Sequence, residues 1–87
     1  MTIQESKNIK INKKIVFDFV SLVANPEKLV EEGVVWEEVQ ANKKIIRACW
    51  EFYLSGCELV VKTDCDSNEV IAFLEKYDFP HMQVVSI

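Results

Sequence analysis

A chain of 87 residues, 49% apolar and 28% charged, has room for one hydrophobic core and enough apolar surface to build it, which excludes both a pair of domains and a disordered composition. Two glycines, Gly33 and Gly56, exclude the Gly-rich phosphate cradles of nucleotide-binding loops, and a single histidine, His81, excludes any mechanism or metal site built on two imidazoles. The net charge of −4 and the pI near 4.9 argue against a surface made to coat nucleic-acid phosphates.

The basic charge is concentrated at the start. Lys7, Lys10, Lys13 and Lys14 stand against Glu5 in residues 1–14, and everything after is acidic on balance. That stretch holds no aromatic residue to stack on a base and no arginine to read one, so a solvated arm is expected there and nucleic acid is not the expected partner. Ile9 and Ile11 alternate with polar neighbours, which makes residues 1–12 either a short edge strand or a flexible arm of a single 1–87 domain. With no apolar run of membrane-spanning length and no apolar stretch behind the first charges, neither a membrane partner nor a signal peptide is expected. A cytoplasmic setting follows, in which Cys49, Cys57 and Cys65 are reduced thiols.

In residues 13–24 the polar positions Lys14, Asp18, Ser21 and Asn25 recur at steps of four, three and four, and that stripe predicts a helix. Asn25-Pro26-Glu27 then reads as an N-cap, a first-turn proline and an acid facing the positive helix end, giving a second helix over 26–32 that stops near Gly33. From 35 to 54 the polar residues Glu37, Gln40, Lys44, Arg47 and Glu51 again step by three or four, with Asn42 as a candidate break, and Gly56 sits where a left-handed cap is wanted.

Residues 58–63 (ELVVKT) have strand composition. Asp66 and Glu69 form an aspartate version of the capping box for a helix that Pro80 stops, and MQVVSI supplies a closing strand. Residues 58–87 therefore read as a β-α-β unit, and the fold class as α/β or α+β, with N-terminal helices packed on a small sheet.

Three constellations carry chemistry. The segment Asp64, Asp66 and Asn68, with Glu75 further on, fits part of a calcium-binding loop, yet Glu69 stands where such a loop needs glycine for its sharp turn. It remains the alternative reading, a small regulatory domain holding a divalent metal or small ligand. The three cysteines at intervals of eight, with His81, lack the C-x-x-C knuckle of a zinc site. The stretch Glu31, Glu32, Gly33, Val34, Val35, Trp36, Glu37, Glu38 places an aromatic anchor between acidic doublets, the anatomy of a binding hot spot steered toward a basic partner.

With no catalytic set and no stretch that carries a family signature, the expectation is a non-enzymatic, cofactor-free protein-binding module of the kind found among inhibitors, antitoxins, immunity proteins and phage-borne antagonists. Its partner would present a basic surface. The close succession of Trp50, Phe52, Tyr53 and Leu54 adds a homodimer through the long helix to these expectations.

Overall fold

The chain alternates strand and helix about a three-stranded parallel sheet, as seen in a computed structural model that describes residues 13–87. Strand β1 (Lys14–Asp18) is followed by single 3-10 turns at Phe19–Leu22, Pro26–Leu29 and Trp36–Glu38, then by helix α1 (Lys43–Leu54). Strand β2 (Glu58–Thr63), helix α2 (Ser67–Lys76) and strand β3 (Gln83–Ser86) complete it. The order across the sheet is β1-β2-β3. Lys14 is in register with Glu58 on one side of β2, and Val60 with Gln83 on the other.

The α/β-or-α+β class and the C-terminal β-α-β unit are as expected from the sequence, and the N-terminal helices are not. Residues 14–18 form a strand. A step of four, Lys14 to Asp18, is also two periods of a strand, and Ile15 and Phe17 turn toward the core while Lys14, Val16 and Asp18 point away from it. The run Ile15-Val16-Phe17 has the β-branched and aromatic composition that such a surface favours. Residues 26–32 make one 3-10 turn, Pro26–Leu29, with proline at its start as anticipated. Asn25 does not cap that turn. Its side-chain amide instead donates to the Glu38 carbonyl at 2.8 Å and accepts from the Gln40 amide at 2.9 Å.

Those bonds explain why the helix expected from 35 to 54 begins only at Lys43. Residues 39–41 are drawn into extended pairing with the segment after β1. Ala24 N–H donates to Gln40 at 2.7 Å, Asn42 N–H to Leu22 at 2.9 Å, and Val23 bridges Ala41. Asn42 then caps α1, its side chain accepting from the Lys44 amide at 3.2 Å. Both helices end in a paired C-terminal motif with a left-handed residue just past the helix. Gly56 (φ 93°) serves α1 and Asp78 (φ 60°) serves α2. The expectation of a left-handed glycine at the end of the long helix therefore holds.

Alternate residues of β2, Leu59 and Val61, join Cys49 of α1 and Val70, Phe73 and Leu74 of α2 in one buried cluster. Both helices therefore cover the same face of the sheet. Among the described residues no helix lies on the other face, where Val16, Val60 and Val85 stand among Lys14, Asp18, Glu58 and Lys62. The expectations for residues 1–12 lie outside the described residues.

Candidate functional site

The one lysine of the acidic loop bridges two of its glutamates. Lys28 Nζ lies 3.3 Å from Glu38 Oε1 and 3.8 Å from Glu31 Oε2, and the hydrogen bond to Glu38, with the charge of Glu31 behind it, raises the Lys28 pKa above its ordinary value. Gly33, at φ 71°, makes the left-handed bend between them, a conformation that a side chain would strain. Glu31, Glu32, Glu37 and Glu38 are all exposed, and Val34 is half-buried against the core. Val35 (45% exposed) and Val30 (83% exposed) carry apolar surface into solvent within the same loop.

Trp36 does two things at once. One side of its ring packs on Phe19 (centroids 6.0 Å apart) and Phe73 (6.5 Å), which anchors the loop to α2. The residue is only half-buried, however, and it forms one wall of a shallow groove of about 190 Å³ whose other members include Glu37, Glu69, Ala72 and Lys76. The sequence singles out Trp36 and Glu37 as candidate site residues; Glu69 and Lys76 join them in the groove from α2 through packing across the core, and nothing local in the sequence links them to Trp36. The groove sets an aromatic face beside two exposed carboxylates, with the Lys76 ammonium on the α2 side, so its rim carries a net single negative charge. Such a site suits the guanidinium or ammonium end of a basic side chain, which gains from both the ring quadrupole and the charge.

The segment after β2 is built differently. Asp66 caps α2, with Oδ1 accepting from the amides of Asn68 (2.8 Å) and Glu69 (3.3 Å), so this carboxylate is already committed. The Cys65 amide donates to Thr63 Oγ1 at 2.9 Å, and Cys65 Sγ lies 4.0 Å from Asp64 Oδ1. Asn68 is exposed in the first turn of α2, and Glu75 lies nine residues beyond Asp66, about 13 Å along the helix, against a different groove. Asp64, Asp66, Asn68 and Glu75 are thus not brought to one point. Among the described residues no group of three or more metal-ligating side chains is assembled. A cleft of about 260 Å³ does open at the carboxyl ends of the strands, between Asp18, Lys62 and Asp64 and the apolar Val20, Val30 and Ile87.

The cysteines are dispersed as well. Cys49 is fully buried, and loss of solvation pushes its thiol up to about 11 from an ordinary 9.0. Cys57 and Cys65 flank β2 at its two ends, some eight residues and roughly 25 Å apart for an extended chain. His81 lines a groove with Cys57 at the amino end of the sheet, away from Cys65, as the parallel topology requires. Comparison with protein-family models, with curated proteins and with solved structures finds no match for this chain.

Proposed function

We propose that the protein is a non-enzymatic binding module that docks on a basic protein surface through the Trp36 groove and the acidic loop beside it. The observation that carries this reading is the half-buried Trp36 ring flanked by the exposed carboxylates of Glu37 and Glu69. A basic side chain of the partner enters the groove. Val35, exposed and next to Trp36 in the chain, supplies apolar contact beside it, and Glu31, Glu32 and Glu38 steer the approach. Such a surface suits an inhibitor or antagonist that covers a basic cleft, and the free thiols Cys49, Cys57 and Cys65 suit a cytoplasmic setting.

Nitrogen-15 NMR titration of the protein with an arginine-rich peptide, beside a neutral peptide of equal length, tests the reading. The Trp36 indole and the amides of Glu37, Glu69 and Ala72 are expected to shift together. The shifts should shrink with added salt and disappear in a Glu37→Lys, Glu69→Lys double variant. Shifts spread evenly over every acidic residue, with the Trp36 indole unmoved, would reject the groove.

A further inference from the structure

The two edges of the sheet differ in a way that points outward from β3. Strand β1 presents Lys14 and Asp18 along its length, the kind of charge that discourages another strand from pairing. Strand β3 (Gln83-Val84-Val85-Ser86) carries no charge, proline or bulge, and among the described residues nothing pairs with its outer side. The Ile87 amide donates inward to the Thr63 carbonyl at 2.9 Å. Strand alternation therefore turns the N–H and C=O groups of residues 83 and 85 inward too and those of Met82, Val84 and Ser86 outward, unpaired.

Beside this edge runs a largely apolar groove of about 360 Å³, formed by Ile71, Leu74 and Glu75 of α2 with Met82, Val84 and the Phe79-Pro80-His81 turn, and no residue of β1 or β2 enters it. Ile71 is 42% exposed there. Asn68, Ile71 and Glu75 form the stripe of α2 on that side, three and four residues apart.

We infer that β3 and this stripe of α2 form a two-fold interface with a second copy of the chain. A dyad perpendicular to the sheet at Val84 sets β3 antiparallel to its mate, with Val84 opposite the partner's Val84 and Met82 opposite the partner's Ser86. About six main-chain hydrogen bonds form from groups that are otherwise unpaired, and the two sheets become one. Because α2 runs antiparallel to β3 in the crossover, the same dyad brings the two α2 helices side by side. Ile71 then meets the partner's Ile71, and the Asn68 amide faces the partner's Glu75 carboxylate. On this stripe the dyad sets an amide against a carboxylate and no carboxylate against another, so the symmetric contact carries no like-charge penalty, and the uncharged edge of β3, which pairs with its own inverted copy in register, takes a second copy as its occupant. The Trp36 groove lies on the opposite side of α2, along Glu69, Ala72 and Lys76, so the dimer leaves it open.

Sedimentation equilibrium over a concentration series tests the interface on the protein as it stands. The expected result is a mass rising from the 10.1 kDa of the chain toward twice that value. In parallel, exchange of the Val84 and Ser86 amides should slow by about tenfold or more as the concentration rises. Ile71→Glu and Ser86→Pro, the second of which removes an outward N–H without touching the ladder to β2, should each return the mass to that of one chain with an unchanged circular dichroism spectrum. A single-chain mass at every concentration up to the millimolar range would overturn the inference. So would a dimer that leaves the Val84 and Ser86 amides fast-exchanging, which requires no variant to fold, or one abolished by Leu54→Ser on α1 alone. The arginine-peptide response of the Trp36 indole is independent of all of these.

Discussion

The indole N–H of Trp50 donates to the main-chain carbonyl of Asp78 at 2.7 Å, across 28 residues. This bond fastens the middle of α1 to the turn that carries α2 into β3. Asp78 is also the one described residue other than glycine with a positive φ, 60°. Its amide donates to Glu75 at 3.2 Å and the next amide, Phe79, to Leu74 at 3.0 Å, closing the helix end while Phe79 and Leu74 meet in the core. The turn is thus held from both sides, and it keeps in the left-handed region a residue that tolerates that region better than most but less well than glycine.

Replacing that residue should stabilise the protein. Asp78→Gly removes the left-handed penalty and keeps the carbonyl that Trp50 uses, and a gain of about 0.5 to 1 kcal/mol is expected after the larger chain entropy of glycine is counted. Trp50→Phe should lose about 1 kcal/mol through the missing hydrogen bond. Urea unfolding of both variants measures the two effects, and equal midpoints for Asp78→Gly and the parent would show that the turn is unstrained.

The two aspartates after β2 should behave unlike each other. Asp66→Ala strips two amides of their acceptor at the start of α2 and should cost about 1 kcal/mol, whereas Asp64→Ala at an exposed position should stay within about 0.5 kcal/mol. Thermal melts with and without millimolar calcium or magnesium extend the comparison. A metal-dependent rise in Tm that is lost in Asp64→Ala would establish an ion site there.

The buried thiol of Cys49 makes stability fall at alkaline pH. Its pKa is about 11 folded against 9.0 for an ordinary thiol, so between those values the unfolded chain has released a proton that the folded chain still holds. The contribution of the neutral thiol is complete below pH 9, is lost as pH rises above 9, and levels off beyond about 11. Subtracting the pH profile of a Cys49→Ala variant isolates this effect from other groups. A difference that stays flat from pH 8 to 11 would contradict the assignment. Under native conditions a thiol reagent should modify Cys57 and Cys65 readily and Cys49 only at the rate of unfolding.

Stability and binding should separate at the Trp36 groove. Trp36→Ala takes away ring contacts with Phe19 and Phe73 and should cost about 2 kcal/mol, so a loss of binding in that variant would be ambiguous. Glu37→Lys and Glu69→Lys should each cost under about 1 kcal/mol, the latter through its place at the positive end of α2, while removing the response to a basic peptide. Denaturant melts and peptide titrations on the same three variants show the division.

What was legible in the sequence was what local chemistry decides. The β-α-β unit could be read because an apolar run, a cap at Asp66 and a stop at Pro80 all lie within 30 residues and agree with one another. The first strand was misread because Lys14 and Asp18 fit a helical and a strand period equally well, and only pairing with Leu59 to Val61, more than 40 residues on, decides between them. The early start assigned to α1 failed for a similar reason. Asn25 reaches across to residues 38 and 40, and a hydrogen bond of that span leaves no periodic trace. At the site, Trp36 and Glu37 were visible as neighbours, while Glu69 required knowing which face of α2 comes to rest beside the loop.

The strand order bears on how the chain acquires its structure. β2 meets β3 by closing the stretch from Val60 to Gln83, whereas β1 meets β2 only by closing the stretch from Lys14 to Glu58, nearly twice as long. Loop-closure entropy makes the second pairing dearer by about 0.6 kcal/mol before side chains contribute. The C-terminal unit is therefore the natural nucleus, and kinetic φ-values should be higher at Val61 and Val70 than at Ile15. During synthesis β1 emerges before β2 and pairs only with it, so Ile15, Val16 and Phe17 wait unpaired until β2 has followed. The charges of Lys14 and Asp18 on either side of them guard that interval as well as the finished edge.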